Sequence, residues 1–463
     1  MKFEPIALSI QEQIARHEYK PGQRLPSIRR ICEVHRCNKA TVIRAYQELE
    51  AKHLIYAVPK SGYYVIETNP AAQNEDSAAG DVTAAVDFTS ASPGSDALPY
   101  LDFQHCLDQA IALYRENLFT YMDPRGLPAL RETLAGQLRD YQIFAKPETI
   151  HITSGSQQAL EILTKLPFPN GKTNILLEQP TYFGMVQAAR LNGLTLLGIQ
   201  RTAAGLDFAE LERTFRNGNI KFFYTIPRFH NPLGVSFQTE DKKKLLKLAA
   251  KYDVYIVEDD YLADLETDPR NDPLFALDGT ERVLYIRSYS KTLMPGLRLG
   301  VAVLPQKLCH PFIEYKRWAD LSTAILSQGA LEIYLRSGMY LSHLRRIKLL
   351  YQERMACLQE CCQALLPDAV PAFVPETGFF ASITLPFHLR TIEEAVCRQN
   401  VRIRDLQFTG LPGYQRDNLL RLSICKTNPE QIRGGMAVIA AEIQKALEGK
   451  GYFKHQEYPA EFL

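Results

Sequence analysis

The run SYSKTLMPGLRLG at 288–300 sets Lys291 between hydroxyl-bearing residues, seven positions ahead of Arg298, in an otherwise apolar context. A single lysine reads first as a solvated surface charge. This one follows VLYIR, a run with the composition of a buried strand, and so lies just past a strand's carboxyl end, where open α/β sheets place their ligands. Desolvation and a nearby cation favour the neutral amine, the form that attacks a carbonyl to make an imine. The aldehyde that calls for such a lysine is pyridoxal 5'-phosphate (PLP), which also carries a phosphate and a pyridine nitrogen.

Other runs offer a partner for each part of that molecule. TSGSQQALEIL (153–163) sets Gly155, Ser156 and Gln157 at the start of an amphipathic helix, where backbone N–H groups and the helix dipole attract an anion. Ser288, Ser290 and Arg298 add charge-assisted bonds to the phosphate. VEDDY (257–261) ends a strand in acids, and Asp259 is assigned to the ring nitrogen, because a buried carboxylate is costly without a cationic partner. Asn231 in PRFHNPLG and Tyr261 are expected as donors to the ring oxygen, and Tyr182 in EQPTYFG as a stacking surface. Taken alone, Tyr182 is an ordinary core tyrosine and Glu258 or Asp260 a solvated strand-end acid. The set points to a cofactor.

These residues need a scaffold, and the pattern around them supplies one. The runs NILLE (174–178), IKFFYTI (220–226), DVYIVE (253–258), VLYIRS (283–288) and LGVAVL (299–304) are β-rich and nearly all apolar, as strands covered on both faces must be. Helical stretches such as DKKKLLKLAAKY separate them, which predicts an α/β domain with a mostly parallel sheet. From about Ser322 to Leu366 the apolar spacing predicts one long helix leading into a smaller C-terminal α+β unit, about 345–450, with 451–463 as a tail.

A chain of 463 residues implies two or three compact units. With 46% hydrophobic and 23% charged residues it is neither disordered nor collagen-like. The scattered, odd set of nine cysteines shows no metal-binding spacing and reads as reduced thiols. No apolar run reaches a membrane span and the start does not resemble a secretory signal, so a cytoplasmic protein without membrane contact is expected. Residues 67–86 contain no Lys, Arg or aromatic residue and read as a linker. They set off a first segment, 1–66, with 11 Lys+Arg against 6 Asp+Glu, leaving 42 against 46 for the remainder. Only the first segment has the charge balance of a phosphate-backbone binder.

Within that segment a helix near Ile6–Arg16 stops at Pro21 and Gly22. Ser27 caps a second helix running to about His35, and Asn38 caps a third with Val42, Ala45, Tyr46 and Leu49 on its inner stripe. Two short helices joined by a tight turn predict a helix-turn-helix. LIYAV and YYVI, around Pro59–Gly62, predict a hairpin wing. PGQRLPSIRRIC, NKATVIRAYQEL and the wing resemble the GntR family of bacterial regulators over nearly all of residues 5–66. The resemblance implies that Arg29 touches the DNA backbone and that Lys39, Thr41 and Arg44 face DNA, with Lys60 and Ser61 in the wing. Asn38 and Lys39 stand where serine and arginine are usual, so a point charge replaces the planar fork that reads guanine.

Beyond the linker YMDPRGLPALRE, TSGSQQAL, EQPTY, HNPLG, EDDY, SYSK and LLRLSI follow in the order of fold type I aminotransferases. The fusion resembles the MocR subfamily of GntR regulators over about 87–450. It implies Lys291 as the Schiff-base lysine, Asp259 as the ring-nitrogen partner and Arg421 as the residue that binds an effector carboxylate. It also implies a homodimer in which Tyr121 reaches the neighbouring subunit's phosphate and each DNA-binding module lies over the other subunit. Gly184 occupies a position where some amino-acid-sensing members carry an arginine. The expected function is a PLP-dependent regulator of double-stranded operator DNA, sensing PLP itself or an amine or amino acid. The alternative is a working aminotransferase with an accessory DNA-binding domain.

Overall fold

The computed structural model describes residues 3–449 except 17, 21–22, 52–53, 59–61, 66–85, 405, 407–408 and 415. The chain divides into two compact units, 1–84 and 85–463. Among the described residues no helix is long and apolar enough to cross a membrane.

The first unit packs α1 (Glu4–Ala15), α2 (Ile28–His35) and α3 (Lys39–Ala51) with the antiparallel pair β1 (Ile55–Val58) and β2 (Gly62–Val65). Ser27 caps α2 by accepting the Arg30 N–H, and Asn38 caps α3 by accepting the Thr41 N–H at 2.8 Å. Val42, Ala45, Tyr46 and Leu49 fall on one helical face and are wholly buried with Ile6, Ile10 and Ile55. The Tyr46 hydroxyl donates to the Pro26 carbonyl at 2.6 Å, tying α3 to the segment that enters α2. Pro21, Gly22, Lys60 and Ser61, singled out in the sequence, lie outside the described residues.

The second unit opens with β3 (Val86–Asp87), so Val86, the last residue of the expected linker, already pairs in a sheet. Its main sheet holds β4 (Ile150–Thr153), β5 (Asn174–Gln179), β6 (Leu196–Thr202), β7 (Gly205–Leu206), β8 (Ile220–Thr225), β9 (Tyr255–Asp259), β10 (Val283–Ser288) and β11 (Gly300–Val303). The order is β4-β11-β10-β9-β8-β5-β6-β7, and β10, β9, β8, β5 and β6 run parallel. β11 is antiparallel to both neighbours, which returns β4 to the direction of β10. The carboxyl ends of β4, β9 and β10 therefore lie along one edge.

Alternation across the central strands separates two cores: Phe222, Tyr224 and Val257 face one, Phe223 and Ile256 the other. The smaller subdomain is an antiparallel sheet of β12 (Ala372–Phe373), β13 (Phe380–Thr384) and β15 (Leu419–Ser423), with β14 (Val401–Arg402) pairing with β3. The single helix expected over 322–366 is two, Ile325–Arg336 and Met339–Leu365, because Gly338 turns the backbone to φ 81° between them.

Leu49 is fully buried in the first unit's own core. Leu49→Ala is expected to cost that unit about 2–5 kcal/mol. Urea unfolding followed at the tyrosines of α3 and the wing reads the change.

Candidate functional site

The strand-end acids Glu258, Asp259 and Asp260 have three different fates, set by strand parity and neighbours. Glu258 faces the smaller core and accepts the Leu274 and Phe275 N–H groups, capping helix Leu274–Leu277. Asp260 accepts from the Arg228 guanidinium and from the Tyr285 hydroxyl at 2.9 Å. Asp259, on the other face with Tyr224, accepts that tyrosine's hydroxyl at Oδ2, 2.7 Å away, while its Oδ1 is buried without a protein partner. Burial lifts the Asp259 carboxyl to about 6, helped by Asp260 and opposed by the Tyr224 bond and by Lys291.

Lys291 follows β10, the parallel neighbour of β9, with Asp259 paired to Ile286. Burial lowers its ammonium below the ordinary lysine range; Cys425 and Asp259 oppose the shift, and Arg421 and Arg298 add to it. Its Nζ donates to the Ala91 carbonyl at 2.8 Å. The adjacent Thr292 is clamped twice: its hydroxyl donates to Asp264 at 2.9 Å and its carbonyl meets His343 Nε2 at 2.6 Å. Asp264 also accepts from Tyr141 at 2.5 Å, Arg287 at 2.5 Å and Tyr340 at 2.7 Å. Sequence reading missed this cluster, since its members are spread over 141–343 and share no motif. It missed Tyr224 as well, although its parity with Asp259 on the adjacent strand was a usable signal.

After β4, Gly155 precedes helix Ser156–Lys165, and no side chain caps the helix's first turn. Gly155 has φ 76°, and a Cβ there would stand 2.7 Å from Arg298 Nη2. At Gly300 a Cβ would stand 2.6 Å from the Gly155 carbonyl carbon and the Ser156 nitrogen. Both glycines thus let the arginine and β11 approach the turn closely. Arg298 donates to the Ser154 carbonyl at 3.2 Å. Ser288 and Ser290 are buried, and Ser290 Oγ has no protein partner.

Tyr182 is half-buried near Asp259, and its hydroxyl donates to Gln157 at 3.0 Å. A Cβ at Gly184 would lie 2.5 Å from the Tyr182 ring, so an arginine does not fit there with the ring in this position. Arg421 Nη1 donates to Asn231 Oδ1 at 3.1 Å and Nη2 to the Thr89 carbonyl at 2.7 Å. The first bond fixes the Asn231 amide so that its NH2 is the free end. Tyr261, expected as a second donor to the ring oxygen, donates its hydroxyl to the Phe229 carbonyl at 2.7 Å. Among the described residues Arg421 has no carboxylate within ion-pair distance, and its Nε is buried without a partner. Tyr121 stands apart, 85% exposed.

In the first unit Lys39 and Arg44 are exposed on α3. Arg44 stacks over Phe3 with its guanidinium carbon 4.7 Å from the ring centre. The Thr41 hydroxyl donates to Asn38, and Arg29 pairs with Glu33 at 3.3 Å.

The family of bacterial regulatory proteins termed gntR matches residues 3–65, and aminotransferase class I and II matches residues 94–439. The chain is 41% identical over 448 residues to the HTH-type transcriptional regulator YcxD of Bacillus subtilis strain 168, covering 96% of this chain and 100% of that one. Among solved structures it resembles the kynurenine aminotransferase of Pyrococcus horikoshii in complex with PMP, at 26% identity and a TM-score of 0.73 over 82% of this chain and 96% of that one. It also resembles LysN, the α-aminoadipate aminotransferase of Thermus thermophilus, complexed with N-(5'-phosphopyridoxyl)-L-leucine, at 26% identity and a TM-score of 0.72 over 79% and 93%. The chain therefore belongs to the aminotransferase class I and II family and carries a gntR-family module ahead of it, the MocR-type architecture of HTH-type transcriptional regulators.

Proposed function

We propose that this chain regulates transcription by binding operator DNA through its first unit and by sensing, at Lys291, PLP itself or an amine or amino-acid effector. The observation that carries the reading is Asp259 Oδ1, a buried carboxylate oxygen with no protein partner, on the strand beside the one that leads to Lys291, a lysine whose charge is disfavoured. A protonated ring nitrogen satisfies the carboxylate, and an aldehyde is the partner for the amine.

PLP, when bound, supplies an aldehyde that condenses with a lysine amine and a ring whose protonated nitrogen draws electrons. The chain's own residues do the rest. Tyr224 holds the Asp259 carboxylate by Oδ2, which would leave Oδ1 to accept from the protonated ring nitrogen. Asn231 would donate its NH2 to the ring oxygen, and Tyr182 would supply a stacking surface for the ring. The uncapped turn at Gly155–Gln157, with Ser288, Ser290 and Arg298, receives the phosphate. Tyr121 extends to the partner subunit's phosphate in a homodimer, in keeping with its exposure. Arg421, lacking a carboxylate of its own, receives that of the effector. An effector that prefers one arrangement of the chain shifts its hold on DNA by that difference in affinity.

Borohydride reduction of the PLP-loaded chain, followed by peptide mass spectrometry, is expected to find a pyridoxyl group on Lys291. Its appearance on another lysine, or on none, overturns the reading. On the DNA side, Lys39→Ala and Arg44→Ala should each weaken binding to the region upstream of the chain's own gene and reduce the salt slope by about 1. An unchanged slope in gel-shift titrations removes α3 from the interface.

The Asp259 carboxyl, at about 6 in the folded chain against an ordinary 3.8, binds its proton more tightly folded than unfolded. Its contribution to stability is therefore fullest below about pH 4, declines from pH 4 to 6 and stays low above. In cofactor-free protein Asp259→Asn is expected to add about 2–3 kcal/mol at pH 7.5 and nothing near pH 4. The same substitution should lower PLP retention at least about tenfold, the loss of one charge-assisted bond. Destabilisation at pH 7.5 in urea, or parental PLP retention, contradicts the assignment.

A further inference from the structure

The turn between α2 and α3 carries two cysteines, and the backbone folds one onto the other. Arg36 takes the left-handed conformation at φ 45° just past α2, and the Cys37 N–H bonds back to the Cys32 carbonyl at 3.2 Å. This is the Schellman closure of a helix end, which brings the side chains of the two bonded residues together. The two side chains therefore leave the turn as neighbours, and Cys32 is among the groups that act on the Cys37 thiol. Both are partly exposed at the rim of the first unit's core. Elsewhere, Cys106, Cys309, Cys357, Cys361, Cys362 and Cys425 are buried, and Cys397 is exposed. The next residue, Asn38, caps α3 by accepting both the N–H and the hydroxyl of Thr41 at 2.8 Å. One short turn thus holds the thiol pair and fixes the start of the helix that carries Lys39, Thr41 and Arg44.

We propose that Cys32 and Cys37 form a dithiol modification site, closed to an intramolecular disulfide by oxidants of the hydroperoxide class, and that closure weakens the hold of α3 on DNA. The Cys32 sulfur attacks the peroxide oxygen, giving a sulfenic acid and releasing the alcohol. The Cys37 sulfur then displaces the hydroxyl, which leaves as water. Two thiols are oxidised to one disulfide, and the hydroperoxide is reduced to alcohol and water. Burial, reinforced by the Cys32 thiol, raises Cys37 above the ordinary thiol range and disfavours its thiolate, so the first attack is assigned to Cys32. A sulfur–sulfur bond of about 2.05 Å is shorter than any non-bonded contact between two thiols. Closing it draws residue 37 toward α2 and shifts the Asn38 cap. The DNA consequence rests on the function proposed above, and the cross-link does not.

The test treats the full chain with cumene hydroperoxide, alkylates it and digests it with trypsin without reductant. Cleavage after Arg30, Arg36 and Lys39 separates ICEVHR from CNK, so the two peptides stay together only through the Cys32–Cys37 bond. The expected result is a linked pair two hydrogens lighter than the sum of its parts, released by dithiothreitol and absent from Cys32→Ser and Cys37→Ser. Affinity for the region upstream of the chain's own gene should fall about tenfold or more on oxidation, the scale of one lost base contact, and return on reduction. The double serine variant should be indifferent to the oxidant. Separate or over-oxidised peptides with no linked pair overturn the site, and this readout on the unsubstituted chain needs no variant to fold. A linked pair with unchanged DNA affinity overturns the control of α3. A reduced chain that binds no DNA yet forms the linked pair upholds the site and counts instead against the proposed function.

Discussion

A buried carboxyl group and a half-buried amine at the ends of neighbouring parallel strands form the constraint around which the second unit is organised. Desolvation penalises the charged form of each, and they relieve one another only in part, since Asp259 still titrates near 6 and Lys291 below its usual range. The surrounding fold therefore leaves few other charges unmatched nearby. Glu258 is spent on a helix cap, and Asp260 on Arg228 and Tyr285. Asp264 is saturated by four donors. Against that background the bare Oδ1 of Asp259 is a specific polarity, buried and left without a protein partner.

Position is enforced from the opposite side as well. Thr292 ties the segment carrying Lys291 to Asp264 through its hydroxyl and to helix Met339–Leu365 through its carbonyl. The same helix continues into the smaller subdomain, where Arg354 donates to the Ile424 and Cys425 carbonyls just past β15. Lys291 is consequently held by elements from both subdomains, and Gly338, which breaks the helical run, sets where that helix begins.

Local pattern made much of this legible. Strand composition located the main sheet, because strands buried on both faces leave nearly continuous apolar runs; cap residues located α2 and α3, because Ser27 and Asn38 act within three residues. Motif spacing singled out Lys291 and Asp259 for the same reason. The unread parts depend on pairing distant in sequence. Asp264 acquires its meaning from Tyr141, Arg287 and Tyr340, none within twenty residues of it. Tyr261 has a donor's chemistry, but its proton goes to the Phe229 carbonyl, a choice made by a loop with positive φ at residue 229 that no composition announces. The break at Gly338 was visible as a glycine, yet the apolar period runs through it, and periodicity does not register a single left-handed residue.

The segment after β3 connects the two subdomains' polar groups most directly. Val86 and Asp87 pair with β14, and Phe88 exchanges backbone bonds with Arg402 and Ser423. The chain then offers its Thr89 carbonyl to Arg421 and its Ala91 carbonyl to Lys291. Two carbonyls two residues apart thus hold the guanidinium and the amine. Under the proposed reading, an aldehyde held at Lys291 would draw that amine from Ala91, and a carboxylate at Arg421 would compete with Thr89. Both ligands would therefore act on one stretch tethered through β3. Coupling between sites needs an element whose arrangement both ligands bias, and this short run of backbone is the one to which both basic groups are bonded.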